Sequence, residues 1–205
     1  MITVRLARSL ADAEALAPMV ADAFKEEDLG IDVYRRWYKK NEKCLIIAYD
    51  DSGVPLGYVD YFPLTIKGDA ALVMGGSESD LDPDNDFYGP ESMDHALVAY
   101  LAGIVVVSRG TRMGKDVTAA LMVGMMSHMK KYYGSKRMIL LGIAYSVGGA
   151  KLLSRMGGRV MAAGNDRKDN HDLYRINLTP EAQSEIMETA CKRLVNDGLD
   201  VIVAV

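Results

Sequence analysis

The stretch from Ala96 to Val107 is almost wholly apolar and runs straight into Ser108-Arg109-Gly110-Thr111-Arg112-Met113-Gly114. A strand with apolar side chains on both faces must be buried on both faces, so it belongs at the centre of a sheet with helices on either side. After the loop, Val117, Leu121, Met122, Met125, Met126, Met129 and Tyr132 recur at helical spacing, and Gly134 follows as a stop. Central strand, glycine-bearing loop and long helix together predict an α/β fold. The length of 205 residues and a hydrophobic share of 49% suit one domain spanning 1–205.

The flanking sequence supplies the other elements. Ile2 to Leu6 alternates as a strand, and Ser9 to Asp12 has the form of a capping box opening a helix with Ala13, Leu16, Ala17, Val20, Ala21 and Phe24 inward. Pro18 is expected to kink that helix. A second helical piece covers Val33 to Lys40. Cys44–Tyr49 and Leu56–Leu64 read as strands of a hairpin turned at Asp50-Asp51-Ser52-Gly53. Met138–Tyr145 reads as a second buried strand and Ser146–Arg155 as a short helix. Arg159–Ala163 and Leu173–Leu178 form a hairpin, a helix opens at Thr179-Pro180, and Val201–Val205 is a terminal strand. The polar stretch at about 75–91 predicts a long exposed acidic insertion, a mobile flap.

Composition removes several classes of function. The formal net charge is −4, against the basic excess that a general nucleic-acid binder needs. No run approaches ~20 apolar residues and the start lacks a leader's apolar stretch, so neither a membrane span nor export is expected. Cys44 and Cys191 are far apart, without metal-ligand spacing, which predicts a reduced, cytoplasmic protein and no metal. Asp80, Asp82, Asp84, Asp86 and Glu91 fall in the register of an EF-hand loop, yet Asn85 stands at the glycine position and Pro83 stiffens the run, which favours a solvated acidic loop. Such a loop could also draw a polyamine, an aminoglycoside or a basic peptide.

Chemistry concentrates in the loop after the central strand. Gly110 and Gly114 allow a tight turn and close approach, and the first amides of the following helix lack internal partners. Arg109, Arg112 and Lys115 add three cations, so a diphosphate would suit the site. Neither GxxxxGK nor GxGxxG occurs there, which removes the ATPase and dinucleotide readings.

These residues resemble the R/Q-x-x-G-x-G/A signature of the GNAT superfamily of N-acetyltransferases, with Arg109 and Gly114 at its first and last positions and Arg112 in place of the first glycine. The order of elements resembles the family over most of the chain. The resemblance implies a mixed, mostly antiparallel central sheet flanked by helices, acetyl-CoA or another short acyl-CoA as cosubstrate, and direct transfer to an amine of a small molecule or peptide. It implies cofactor contacts from Val105, Val106 and Val107 through the main chain, and from Arg109, Gly110, Thr111, Arg112, Met113, Gly114, Lys115 and Ser146. The stretch from Ala150 to Gly158, through Leu153, resembles the family's N-x-x-A-x-x-L-Y-x-x-x-G-F segment, with Val147 at the Asn position and Ser154 at the Tyr position. Tyr145 or Tyr174 could then supply the phenol, and His95, oriented by Asp94, is the candidate base, with Glu91 and Tyr100 weaker candidates. A homodimer is compatible with these features. The competing reading is a non-catalytic CoA-binding or assembly module retaining the fold, and an acyl-homoserine-lactone synthase ranks last.

Overall fold

A computed structural model describes residues 1–25, 30–134 and 136–205. The strands are β1 (Ile2–Leu6), β2 (Leu45–Tyr49), β3 (Pro55–Leu64), β4 (Val98–Val106), β5 (Met138–Ile143), β6 (Arg159–Ala162), β7 (Leu173–Leu178) and β8 (Val201–Ala204). The helices are α1 (Leu10–Glu14), α2 (Ala17–Phe24), α3 (Ile31–Lys40), α4 (Ile66–Val73), α5 (Pro83–Asp86), α6 (Arg112–Tyr133), α7 (Val147–Arg155) and α8 (Pro180–Asn196). All the strands join one sheet in the order β6-β7-β5-β4-β3-β2-β1-β8. Only β4–β5 and β1–β8 pair in parallel. The sheet is therefore mixed and mostly antiparallel.

Alternation along the strands separates the two faces. Val4, Ile46, Ala48, Val59 and Tyr61 pack with α6, whose Met122, Met125, Met126 and Met129 are buried. Leu45, Ile47, Tyr49, Tyr58 and Val105 pack with Leu16, Val20 and Tyr38 under α1, α2 and α3. The methionine-rich helix is thus core filling by unbranched side chains.

The helix expected to kink at Pro18 is two helices. Pro18 sits in the first turn of α2, where its missing N–H leaves no helical bond unmade. Ser9 Oγ accepts from the Asp12 amide at 3.3 Å, while the Asp12 carboxylate turns to the Arg8 amide and Arg5.

The stretch 75–91 is not the exposed flap that its polarity predicts. Ser77, Glu78, Leu81, Pro83, Asp86 and Phe87 are buried. Its acids satisfy its own backbone: Asp80 accepts from the Ser77 amide, Asp82 caps α5, and Asp86 accepts from the Asp82 amide. Phe87 stacks on Phe62 and meets Trp37 edge-on, 4.9 Å between centroids in each case. Asp80, Asp82 and Asp86 of the EF-hand register are thereby consumed in turns, and among the described residues no group of three or more His, Cys, Asp or Glu could hold a metal ion. No helix among them is long and apolar enough to cross a membrane.

Candidate functional site

The central strand serves two partners that part company. The β4–β5 ladder runs from Val98 opposite Ile139 to Leu101 opposite Gly142 and stops there. β4 continues beside β3 to Val106, with Ala102 as an extra residue where the register shifts between Asp60 and Tyr61. Such a bulge bends its strand and ends regular pairing. From Ala102 to Val106, β4 has β3 on one side and no paired strand on the other.

Into this gap opens a cleft of about 1270 Å³, its walls formed by β4, β5, α6, α7 and α8. The loop before α6 turns at Gly110, whose φ of +77° suits glycine. Thr111 caps α6, its Oγ1 accepting from the Gly114 amide at 3.0 Å and donating to the Ser108 carbonyl at 2.7 Å. Gly114 is forced by space: a Cβ there would lie 2.0 Å from the Ser108 carbonyl oxygen. Ser146 caps α7 in the same way, accepting from the Gly149 amide at 3.0 Å. Two helix N-terminal turns therefore border one cleft, each bringing unpaired amides and the positive end of a helix dipole.

Charge reinforces the geometry. Arg109, Lys115, Lys151, Arg155, Arg159, Arg175 and Arg193 line the cleft, against a single lining carboxylate, Glu185. A net acidic chain thus carries one strongly basic concavity, suited to a ligand with several phosphate charges.

One phenol of the cleft wall is backed by a buried carboxyl. Tyr145 lines it and donates its hydroxyl to Glu78 Oε2 at 2.9 Å. Burial pushes the Glu78 carboxyl up to about 7, a rise that the Tyr145 and Tyr100 hydroxyls partly offset. Burial, followed by the charge of Glu78, raises the Tyr145 phenol well above its ordinary value. The ring is fixed edge-on between Phe24 and His171, with centroids 5.8 and 4.7 Å away. Glu78 is placed by the β6–β7 connection, where the fully buried Arg167 donates to the Leu72 and Gly76 carbonyls at 2.9 and 2.8 Å and pairs with Asp169.

The residues expected from the sequence divide in the structure. Val106, Arg109, Gly110, Gly114, Lys115, Tyr145 and Ser146 line the cleft together. Val105 faces the other side of the sheet and packs with Tyr58, because neighbouring residues of a strand alternate. The Val107 amide donates to the Leu56 carbonyl, Thr111 acts as the helix cap, and Met113 is solvent-exposed. The Arg112 guanidinium is drawn to Asp197 at 2.7 Å, and Arg109 reaches Asp22 at 2.9 Å while bordering the cleft. His95 is exposed beside Asp94 in the turn before β4, at the end of the strand opposite the loop, and does not line the cleft. Tyr174 is packed in the core of β7, Glu91 is exposed, and Ser154 is exposed on α7.

Sequence reasoning missed Glu78, Asp60 and most of the cleft's cations. Asp60 carried a usable signal, a lone carboxylate inside the apolar run from Leu56 to Leu64.

No protein-family model and no curated protein matches the sequence. Solved structures share its architecture. The loading GNATL domain of CurA from Lyngbya majuscula superposes with a TM-score of 0.61 at 10% identity, over 86% of this chain and 98% of that one. Ard1 from Thermoplasma volcanium gives 0.56 at 15% identity, over 87% and 97%. The GNAT family N-acetyltransferase YhbS from Escherichia coli, solved in complex with CoA, gives 0.55 at 14% identity, over 88% and 83%.

Proposed function

From the premise that this chain has the fold of the GNAT acetyltransferases, we propose that it transfers a short acyl group, acetyl in the simplest case, from an acyl-CoA to an amine. The observation that carries this reading is the divergence of β4 from β5 beyond Leu101 and Gly142 into a basic cleft bordered by the N-terminal turns of α6 and α7. The positive N-terminal end of α6, with the surrounding cations, suits the diphosphate. The unpaired edge of β4 around Ile104 and Val106 offers main-chain partners to an amide-bearing pantetheine arm.

Glu78 then has the chemistry of a general base. A carboxyl titrating near 7 is half ionised at neutral pH and accepts a proton readily from an ammonium. Transfer proceeds when that proton moves to Glu78, the neutral nitrogen attacks the thioester carbonyl, and the C–N bond forms as the C–S bond breaks. The second proton on the nitrogen balances the departing thiolate, and Tyr145, hydrogen-bonded to Glu78, is placed to relay it. The phenol thus comes from the end of β5, in place of the position at Ser154.

The test uses the full chain. Acetyl-CoA at ~100 times its dissociation constant should stabilise the native state by ~2.7 kcal/mol, a visible melting shift. Release of free CoA thiol in the presence of a panel of amines should follow. A shift without thiol release would favour the non-catalytic CoA-binding module, and no shift would remove the cleft assignment.

A further inference from the structure

Asp60 belongs to a second, separate cavity on the other face of the sheet. Its side chain lies between α1, α2, α3 and β3, where Ala13, Leu16, Ala17, Ile31 and Phe62 make apolar walls around it. The residue is 2% exposed, and its Oδ1 makes no hydrogen bond among the described residues. A buried carboxyl oxygen without a side-chain partner is costly, and a ligand donor that reached it would relieve that cost. No Lys or Arg pairs with Asp60 or Glu78 in any ion pair among the described residues. Asp60 also backs onto the cleft, because its Oδ1 lies 3.0 Å from where a Cβ on Gly103 would stand, and Gly103 is a cleft residue.

Size narrows the ligand. The cavity holds about 30 Å³, room for two or three water-sized groups, enough for an ammonium and one or two attached carbons. The aliphatic side of the cavity, Ala13, Leu16, Ala17, Val20 and Ile31, favours an alkyl stem, while Tyr34, Tyr38, Asn41 and Tyr58 add polar groups to the side nearer Asp60's strand. The floor offers one anionic acceptor, the chemistry that an ammonium donor completes.

We propose that this cavity is a subsite for an aminoalkyl group, and that the acceptor is an aliphatic diamine whose second, non-reacting ammonium is held by Asp60. The proposal rests on the acyl-transfer reading for the role of the first nitrogen, which meets Glu78. Burial and the neighbouring Glu78 raise the Asp60 carboxyl well above its ordinary value against the Asp60 and Gly103 amides, and an arriving ammonium opposes the rise.

The test is binding, so that it stands apart from turnover. Full-length protein is titrated calorimetrically with α,ω-diamines of three to six carbons and with monoamines of the same lengths. At least one diamine should bind ten-fold or more tightly than its monoamine. Asp60→Asn, which preserves shape, should abolish that preference, and Ala13→Leu, which fills the cavity from α1, should do so while leaving the carboxylate in place. Equal affinity for diamine and monoamine, a preference that survives both variants, or no binding of either class overturns the proposal. Thiol release from acetyl-CoA with the diamine that binds is the separate measurement: its absence sinks acyl transfer and leaves the diamine result standing.

Discussion

Replacing Glu78 by Gln should make the protein more stable and less active at once, with both effects following from one desolvated carboxyl. In the unfolded chain this group ionises near 4.5, and in the fold near 7. The ionised form is the one that burial disfavours. Glu78 therefore costs the fold nothing below about pH 4.5, costs progressively more as pH rises toward 7, and adds no further dependence above it. The gap between 4.5 and about 7, at about 1.36 kcal/mol per pH unit, comes to about 3 kcal/mol, most of which falls between pH 5 and pH 8. Glu78→Gln keeps an acceptor for the Tyr145 hydroxyl and has nothing to ionise. Urea unfolding of both proteins at pH 5 and pH 8 gives the result as a difference of differences, in which titrating groups remote from Glu78 cancel and Asp60, raised in part by Glu78, adds in the same direction. The wild type should lose about 2–3 kcal/mol relative to the variant over that span. In parallel, the wild-type kcat/KM should fall on the acid side with a midpoint near 7, while the variant loses about 10²–10⁴-fold and that limb with it. A stability difference that is flat with pH, or an acid limb unchanged in Glu78→Gln, would refute the assignment of the base.

Three further perturbations probe different supports of the site. Gly114→Ala puts a Cβ 2.0 Å from the Ser108 carbonyl, so the loop must move by more than 1 Å; CoA affinity by calorimetry should drop at least ten-fold, more than in Gly110→Ala, where the space is open and only the φ of +77° is strained. Arg167→Lys keeps the charge but not the fork that grips the Leu72 and Gly76 carbonyls, so kcat/KM should fall about 10–100-fold with the acid limb moved below 7, while Arg167→Met should cost about 3–5 kcal/mol in denaturant unfolding. Burial holds His128, hydrogen-bonded to the Tyr61 hydroxyl at 2.6 Å, down at about 4 against an ordinary 6.5. Its stabilising effect is complete above pH 6.5 and is lost as pH falls toward 4, so the wild type should lose about 3 kcal/mol over that range relative to His128→Gln.

How far the site could be read from the residues follows from the range of the forces that build it. The central strand and its loop were legible because their determinants are local: an unbroken apolar run, two glycines, a threonine cap and a helix whose methionines keep helical spacing. The Ser146 cap of α7 has the same local origin. Glu78 was illegible for the opposite reason. Its neighbours Ser77, Ser79, Asp80 and Asp82 mark a solvated loop, and only contacts distant in sequence bury it: Arg167 on the carbonyls before it, Tyr145 on its carboxylate, and Phe87 anchoring the following turn among Phe62 and Trp37. α4 escaped notice likewise, since Ile66 and Met74 at its ends are exposed and blur the apolar stripe. His95 and Arg112 misled because proximity in sequence to a functional strand or loop says nothing of direction. His95 precedes the closed end of β4, whereas the strand opens at its other end, and Arg112 leaves α6 on the side of Asp197. A titratable residue beside a motif is thus weaker evidence than a carboxyl inside an apolar strand. Asp60 is that case, since between Val59 and Tyr61 its burial was unavoidable and its need for a partner could be inferred before any fold was known.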